Sequence, residues 1–369
     1  MHAQPSKVVR TPHRVPAGFA ARAAVALTML VASVTLALPR AAGAQEVVRR
    51  VVMGGTDQEL ADRDFRPRVA RPAYTASHPR VLVDAAHANF FTVDDRFKPF
   101  ADLLAADGYV VASNTHLLDA ATLAGHDVLV IAGARGGVDD GAADPAFRAP
   151  EIAAVVQWVR DGGSLLFVSD EAPFSGSVQA LAQALGVDMS GAVTRDTAAA
   201  AHEGASSVDL LFTDANGLLG AHPILLGRDA SERIHRVETF GGQSLAGPVG
   251  AVALLRMSPT AIDVRMPTKQ EMDSTIAAAR ANAVPDASGR VMIRIQPPPS
   301  SRKPAAGRAQ ALAFEVGKGR VVVLGESAAL TALLSPVPDG DPRKVGLNVP
   351  GTDDQQFALN VMHWLSRLY

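Results

Sequence analysis

The sequence predicts an α/β fold with a doubly wound, mostly parallel sheet. Between positions 80 and 169, short apolar runs of the kind that form buried strands alternate with amphipathic segments of helical spacing. Each apolar run leads into a polar or glycine-rich turn, and the intervening segments are long enough for helical crossovers between parallel strands. Because such sheets bind ligands at the carboxyl ends of their strands, we expect site residues directly after each apolar run.

The regular elements can be placed in order along the chain. The apolar runs predict parallel strands at 81–83, 109–112, 127–132 and 164–168. Apolar residues at helical spacing predict helices at about 97–104, 150–160 and 177–185. Farther on, short strands are predicted at 209–212 and 249–255, a hairpin at 309–315 and 320–325 around Gly317-Lys318-Gly319, and a closing amphipathic helix at 357–365.

Composition changes divide the chain into segments. Residues 1–44 have the pattern of a signal peptide, and residues 45–79, rich in Arg, Pro and Asp, predict an extended lead-in. Residues 80–369 form one α/β domain, with an insertion at about 259–307 that holds a polar helix at 269–281 and the run Pro297-Pro298-Pro299.

The signal-peptide prediction depends on three successive features. Four basic residues are followed by an apolar run of about 16 residues at 23–38, which is short for a membrane span. Ala42-Gly43-Ala44 then fits the small-x-small cleavage rule and would leave Gln45 as the mature N-terminus. We therefore expect a periplasmic or secreted protein without membrane contact after cleavage, the alternative being an uncleaved signal anchor.

Composition excludes several classes of function. The formal net charge of -2 gives no basic surface for nucleic acid, and aromatic residues make up only 5% of the chain. The sequence contains no cysteine, which excludes disulfides, a thiolate nucleophile and a cysteine metal site. We assign no cofactor.

Polar residues at the predicted strand ends are the candidate site. The candidate catalytic residues are Asp84, His87 and Glu171; the candidate ligand-binding residues are Asn89, Arg135, Gly136, Asp170 and Glu326. His222, Glu238 and Gln243 lie in the irregular half of the chain and are placed to cover such a pocket from the side. No HxH or HExxH spacing accompanies the acids, so no metal ligands are assigned.

The pair Asp84 and His87 and the turn at 133–137 each have a functional and a structural interpretation. Asp84 and His87 could pair as orienter and base for a nucleophilic Ser169 or Ser327, but no G-x-S-x-G elbow is present. Asp84 could instead cap the following turn by accepting backbone N–H groups. The turn 133–137 could bind an anion through its amides, with Arg135 as counter-charge, or could be a plain tight turn.

The order of these motifs resembles that of certain bacterial domains of unknown function with a class I glutamine amidotransferase-like fold. The resemblance is carried by Asp84-x-x-His87-x-Asn89, Lys98-Pro99-Phe100, Gly162-Gly163, Asp170, Gly317-Lys318-Gly319 through Glu326, and Phe357-x-x-Asn360-x-x-x-Trp364-Leu365. It covers most of the chain from Arg80 onward except the insertion and implies a flavodoxin-like sheet. In catalytic members of that superfamily the nucleophile cysteine occupies a strand-to-helix turn, whose counterpart here is Ser169-Asp170-Glu171. Since the chain has no cysteine, glutamine amidotransferase activity is excluded.

Three functions remain compatible with the sequence. The first is a non-catalytic binding or scaffolding module that uses a strand-end pocket for a small polar ligand, a glycan or an envelope partner. The second is a hydrolase built on Asp84, His87 and Asp170-Glu171, with or without a metal. The third is an assembly subunit that presents an apolar surface to a larger complex.

Overall fold

The computed structural model describes residues 33–37, 59–136, 144–198, 206–265, 267–282, 290–294, 301–337 and 340–369. For 33–37 and 290–294 only the backbone is described. Most of the predicted signal peptide, Gly137 and the Pro297-Pro298-Pro299 run lie outside these residues, so the structure does not test them.

The strands are β1 (Ser33–Ala37), β2 (Leu60–Ala61), β3 (Arg80–Asp84), β4 (Val110–Asn114), β5 (Val128–Ala132), β6 (Ser164–Val168), β7 (Asp188–Met189), β8 (Val193–Arg195), β9 (Asp209–Thr213), β10 (Arg236–Phe240), β11 (Leu245–Ala246), β12 (Val252–Arg256), β13 (Ile262–Val264), β14 (Arg290–Arg294), β15 (Arg302–Pro304), β16 (Ala309–Val316), β17 (Gly319–Leu324), β18 (Ala332–Ser335) and β19 (Arg343–Gly346). The α-helices are α1 (Lys98–Asp107), α2 (Ala120–Leu123), α3 (Ala149–Asp161), α4 (Phe174–Ala184), α5 (Pro223–Leu226), α6 (Lys269–Ala281) and α7 (Asp354–Leu365).

A large mixed sheet organises the molecule. Its strands run in the order β4-β3-β5-β6-β17-β16-β11-β7, and β12 also pairs with β16. The first five are parallel, whereas β16, the first arm of the β16–β17 hairpin, runs antiparallel to β17. The chain goes from β3 outward to β4 and then returns to the other side of β3 with β5, so the winding reverses between β3 and β5.

Helices cover both faces of this sheet, which explains why its central strands are apolar throughout. One core contains Phe97, Phe100 and Leu103 from the α1 segment together with Phe357 and Met362 from α7. A second core, on the opposite face, combines side chains of α3 and α4 with Leu165 and Phe167 of β6. All five residues of β5 and of β6 are buried, as expected for parallel strands between two helical layers.

The sequence-based element predictions agree closely with these bounds. The strand predicted at 164–168 and the helix predicted at 269–281 match β6 and α6 at both ends. The other predicted strands and helices are present with ends shifted by a few residues, and the hairpin is β16–β17. The mixed α/β class with a large, mostly parallel sheet is therefore confirmed.

Smaller sheets flank the large one. β2, from the predicted lead-in, pairs with β18, which pairs with β19. β13 and β15, from the predicted insertion, form a three-stranded sheet with β8, and β9 pairs with β10. β1 pairs with β14. Within the residues that the structure describes, no helix has both the length and the apolar character required to cross a membrane.

Candidate functional site

Two separate groups of ionisable side chains lie at the carboxyl edge of the parallel strands, at the ends of β3, β6 and β17. Asp84 ends β3, and His87 follows it in the next turn. Asp170 and Glu171 follow β6, and Glu326 follows β17. We call Asp84, His87 and Glu151 the imidazole cluster, and Asp170, Glu171 and Glu326 the carboxyl cluster.

In the imidazole cluster, both ring nitrogens of His87 are bound to carboxylates. Nδ1 lies 2.7 Å from Asp84 Oδ2, and Nε2 lies 2.9 Å from Glu151 Oε1. Asp84 is fully buried, and His87 and Glu151 are each 5% exposed. The ring of His87 packs against Phe147, with 4.4 Å between ring centroids. The imidazole is therefore enclosed.

The charges of this cluster compensate one another. Burial acts to lower the pKa of His87, but the hydrogen bonds and negative charges of Asp84 and Glu151 outweigh burial, so the pKa is raised. Burial acts to raise the pKa of Glu151, and the hydrogen bond with His87 and the amides of Arg148 and Leu118 outweigh it, so that pKa is lowered. The arrangement favours an imidazolium between two carboxylates.

Backbone contacts hold this cluster in place. Ala86 N donates to Asp84 Oδ1 at 3.3 Å, so Asp84 caps its turn as the structural alternative predicts, and also orients His87. Asn89 accepts a bond from His87 N at 2.9 Å and donates to Ala132 O at 3.2 Å. Between these residues, Ala88 adopts a left-handed conformation with φ of 51°.

The glycine-rich turn after β5 closes onto the same loop. The amides of Arg135 and Gly136 both donate to His87 O, at 3.1 and 3.2 Å, and Gly133 N donates to Val168 O. Because these three amides are occupied by main-chain carbonyls, the contacts favour the tight-turn alternative over a turn that cradles an anion through its amides. Gly136 thus acts here through its backbone, as part of the turn.

The carboxyl cluster forms because β6 and β17 run in register. Val168 pairs with Leu324, so the residues just beyond each strand lie side by side. Asp170 accepts bonds from Ser327 N at 2.8 Å and Ser327 Oγ at 2.7 Å. Glu326 accepts from the amides of Ala328 at 2.5 Å and Ala329 at 2.9 Å. Both carboxyl groups are thus held by the turn after β17.

Burial, with a smaller contribution from like charges, sets the pKa values in this cluster. Burial raises the pKa of Asp170. Burial, followed by the charge of Asp170, raises the pKa of Glu326 well above its ordinary value. The same two causes raise the pKa of the partly exposed Glu171 to about 7. Near neutral pH the cluster therefore retains protons that isolated carboxyl groups would have lost.

Gln243 and Gly242 complete the wall beside the carboxyl cluster. Gln243 Nε2 donates to the carbonyls of Ser169 at 2.9 Å and Asp170 at 2.7 Å, and its Oε1 accepts from Gly191 N. A Cβ at Gly242 would lie 2.3 Å from Gly325 O and 2.6 Å from Glu326 Cβ. The position of Gln243 beside this edge agrees with the expectation that it covers the strand ends from the side.

The serines considered as nucleophiles do not complete a triad with His87. Ser327 Oγ bonds Asp170, and Ser169 Oγ donates to Asp170 O at 3.3 Å. Both nitrogens of His87 are already taken by Asp84 and Glu151, so the triad alternative with either serine is wrong. In the described part of the chain, no three histidine, aspartate or glutamate side chains converge so as to hold a metal ion.

One partly exposed surface lies beside these clusters. The guanidinium of Arg96 lies 4.0 Å and that of Arg135 lies 5.2 Å from the centre of the Phe90 ring. Phe174, the first residue of α4, packs against the same ring with 5.7 Å between centroids. Phe90, Phe174, Arg96 and Arg135 are all half-buried, and we call them the arginine–phenylalanine surface.

Glu151 is the member of the site that sequence reasoning missed. It lies in α3, 64 residues from His87, and occupies the third helical position, where its Oε2 accepts from Arg148 N at 3.1 Å. A glutamate at the third position of a helix is a capping signal, and such a signal does not by itself indicate a site residue. Its second oxygen reaches His87 only because the fold brings α3 over the end of β3.

Comparisons with known proteins support the fold. No family model matches the chain, and no curated protein matches its sequence. The N-terminal domain of mmIFT52 is similar in structure, with a TM-score of 0.50 and 16% identity over 78% of this chain and 97% of that one. A ThuA-like protein from Bacteroides uniformis matches with a TM-score of 0.39 and 12% identity over 80% of this chain and 95% of that one. A ThuA-like protein from Parabacteroides merdae matches with a TM-score of 0.36 and 10% identity over 78% of this chain and 90% of that one. The likeness to the mmIFT52 domain shows a shared fold and nothing about function. The two ThuA-like proteins are too distant in structure to show more than a weak similarity.

Proposed function

We propose that this protein is a non-catalytic binding or scaffolding module that uses the carboxyl edge of its sheet for a small polar ligand, a glycan or an envelope partner. The observation that carries the proposal is the occupancy of His87, whose two ring nitrogens are both held by buried carboxylates. A general base needs a ring nitrogen that can reach a substrate, and His87 offers none. Asp84 is occupied by His87 in the same way.

The scaffold we propose is flavodoxin-like, of the class I glutamine amidotransferase-like type. The order β4-β3-β5-β6-β17 supports it, since it corresponds to the strand order 2-1-3-4-5 of doubly wound folds of that type. Doubly wound folds bind ligands where the winding reverses, here between β3 and β5, which supports a ligand edge beside the imidazole cluster. The absence of cysteine removes the thiolate chemistry associated with this scaffold.

The contact surface we propose is the arginine–phenylalanine surface. Arg135 makes one long bond, from Nε to Ala88 O at 3.5 Å, and among the described residues its remaining N–H groups bond no partner. A guanidinium on an aromatic ring is well suited to bind a carboxylate or phosphate bidentately while the ring shields it from water. We therefore favour a ligand that carries an anionic group, and we propose that it is met in the periplasm or outside the cell.

A hydrolase is the second candidate, and one observation favours it. Glu171 is partly exposed, and its pKa is raised to about 7 by burial and by Asp170. A carboxyl group with that pKa can give or take a proton near neutral pH, as a general acid or base must. In this version the reaction would use the carboxyl cluster, because the imidazole cluster is closed.

Two assays on the purified protein separate these candidates. Turnover of p-nitrophenyl acetate, p-nitrophenyl phosphate and p-nitrophenyl β-glucoside is compared between the wild type and Glu171→Gln, and we expect both to match the buffer. Thermal shifts with citrate and inorganic phosphate are compared between the wild type, Arg135→Ala and Arg233→Ala, which alters an exposed arginine elsewhere. We expect the shift to be lost only in Arg135→Ala. Turnover that Glu171→Gln removes would favour the hydrolase, and an unchanged shift in Arg135→Ala would contradict the proposed surface.

A further inference from the structure

The large sheet ends in two outer strands, β7 and β4, and the two differ in how they are protected. β7 has only two residues, and the carboxylate of Asp188 in it pairs with Arg308 at 2.7 Å. β4 has five residues, Val-Val-Ala-Ser-Asn, with no charged side chain and no proline. Proteins commonly shield an edge strand from other chains by short length, by charge or by proline. β4 carries none of these devices.

Part of the backbone of β4 faces away from the sheet. Val110 N donates to Pro79 O at 3.0 Å, so the hydrogen-bonding groups of Val110 point toward β3. Because successive residues of a strand turn these groups to opposite sides, Val111 and Ser113 present their N–H and C=O groups outward. Among the described residues, no strand pairs with that side of β4.

The side chains of β4 confirm that this edge is open. Val110 is 51% exposed, and Ala112 and Ser113 are exposed as well. Val111 is the exception, since it packs on the core beneath α1. Val110 and Ala112 therefore lie on the other face of the sheet, which α2 does not cover at this strand.

The surfaces on either side of the edge are small or apolar and carry no net charge. α1 packs against β4 and exposes Ala105 and Ala106. Lys98 and Asp102, also exposed on α1, pair with each other at 2.7 Å. On the opposite face Leu117, just before α2, is 49% exposed. Another chain can therefore approach this edge closely without meeting an unpaired charge.

The strand is complementary to itself. In an antiparallel pair of β4 strands related by a two-fold axis at Ala112, Val111 lies opposite Ser113 of the other copy, and each such pair exchanges both of its hydrogen bonds. Ala112 then faces Ala112 of the other copy, where the strands are closest. Val110 comes to the end of the neighbouring β4 that leads to Leu117, so the two exposed apolar side chains meet. A different protein is usually selected by complementary charge, which β4 does not offer.

We propose that this protein forms a two-fold symmetric dimer by antiparallel pairing of β4 with β4 of a second copy, which joins the two large sheets into one. Stable interfaces bury about 1,200–2,000 Å² in total, more than two paired strands supply, so α1 and the segment around Leu117 complete the contact on the two faces. The carboxyl edges of the two sheets point in opposite directions in this dimer. The proposal does not depend on the function proposed above.

Opposite charges placed at Ala112 test the pairing and its register. Molar mass is measured by light scattering after size exclusion at increasing protein concentration. We expect the wild type to reach twice the mass of the chain. Ala112→Lys and Ala112→Glu should each stay monomeric at those concentrations, because like charges then lie directly opposite one another. An equal mixture of the two variants should dimerise again, which also shows that both are folded.

A single cysteine tests the same contact directly. Since the chain has no cysteine, Ala112→Cys supplies a unique thiol. Opposed residues of such a pair have Cα atoms about 4.5 Å apart, within the range of a disulfide, so oxidation with diamide should link two copies. Ala184→Cys and Ala184→Lys, at an exposed alanine of α4, are the controls: the first should stay unlinked and the second should dimerise like the wild type.

Four results would each overturn the proposal. They are a wild type that is monomeric at every concentration, charged variants that dimerise separately as well as the wild type does, a mixture of the two that stays monomeric, and an Ala112→Cys variant that is not linked.

Discussion

The imidazole cluster and the carboxyl cluster lie at the same edge of one sheet and solve the burial of acids in opposite ways. In the first, His87 supplies a positive charge between Asp84 and Glu151, at 2.7 and 2.9 Å. In the second, Asp170 and Glu326 accept hydrogen bonds from backbone amides and from the Ser327 hydroxyl, and their pKa values are raised. One cluster is partly neutralised by an imidazolium between its two carboxylates, and the other retains protons.

This difference indicates how each cluster responds to change. A buried ion pair is costly to break, because the partner that remains keeps an uncompensated charge. A cluster of like charges is instead relieved when one charge is removed, and it is sensitive to pH and to the spacing of its members. Mutations in the two clusters should therefore differ in size and in pH dependence.

The largest effect is expected for His87→Gln. This change leaves Asp84 and Glu151 buried without a cation, and we expect a loss of about 3–5 kcal/mol in the free energy of unfolding, measured with urea. His235→Gln is the control, because that histidine is exposed and pairs with the exposed Asp214, and we expect a loss below about 1 kcal/mol.

The effect of His87→Gln should also depend on pH. Because the folded-state pKa of His87 is raised, its stabilising contribution is complete below the unfolded value of about 6.5 and is lost as pH rises through the folded value. The difference between the wild type and the variant should therefore be larger at pH 6 than at pH 9. A loss below about 1 kcal/mol at pH 6 would show that the ion pair is not formed.

The next largest effect is expected for Gly242→Ala. Gly242 has φ of +81°, and its Cβ would collide with Gly325 O and with Glu326 Cβ. We expect a loss of about 2–4 kcal/mol in the free energy of unfolding, from backbone strain and overpacking together.

The neighbouring Gly241 provides a matched control. It has φ of +112° but nothing within 4 Å of its Cβ position, so Gly241→Ala should cost only the backbone strain of about 1–2 kcal/mol. Equal losses for the two variants would mean that the carboxyl cluster tolerates displacement of the β17 turn.

The smallest effect is expected for Glu171→Gln and appears mainly in the pH profile. Glu171 has a folded pKa of about 7 against an ordinary value of 4.5, so the folded state binds more protons across this window. Its contribution makes stability fall as pH rises from about 4.5 to 7. Glu171→Gln should remove about 1–2 kcal/mol of that fall, a value reduced because the side chain is partly exposed. Glu315→Gln, at an exposed glutamate, should leave the dependence of stability on pH unchanged. If Glu171→Gln and the wild type showed the same dependence of stability on pH, the assigned pKa of Glu171 would be contradicted.

The sequence was sufficient for the α/β class and for the strands of the large sheet from β3 to β6, because local signals determine parallel strands buried on both faces. For β6, the apolar run between Gly162-Gly163 and the polar turn that begins at Ser169 predicted both ends of the strand correctly. The same reasoning placed Asp84, Asp170 and Glu326 at one edge, since strand ends in a parallel sheet share a side. It could not separate them into two clusters, because that depends on strand order, which places β5 between β3 and β6.

Tertiary contacts decided the rest of the site. Glu151 reaches His87 through the packing of α3, and Gln243 reaches Asp170 through the pairing of β11 with β16. Neither contact leaves a pattern in sequence spacing. The short strands from β7 to β15 were mostly missed for the same reason, since runs of two to five residues carry little periodicity.

The central claim is that His87 is an imidazolium whose two ring nitrogens both donate to buried carboxylates. Histidine NMR tests this claim most directly. In protein labelled with ¹⁵N-histidine, the signal of His87 is identified by its loss in His87→Gln and followed from pH 5 to pH 9. We predict that both ring nitrogens remain protonated at pH 7 and that the ring titrates above its ordinary pKa of about 6.5. A neutral ring at pH 7 with one unprotonated nitrogen would contradict the account and return His87 to the list of catalytic bases.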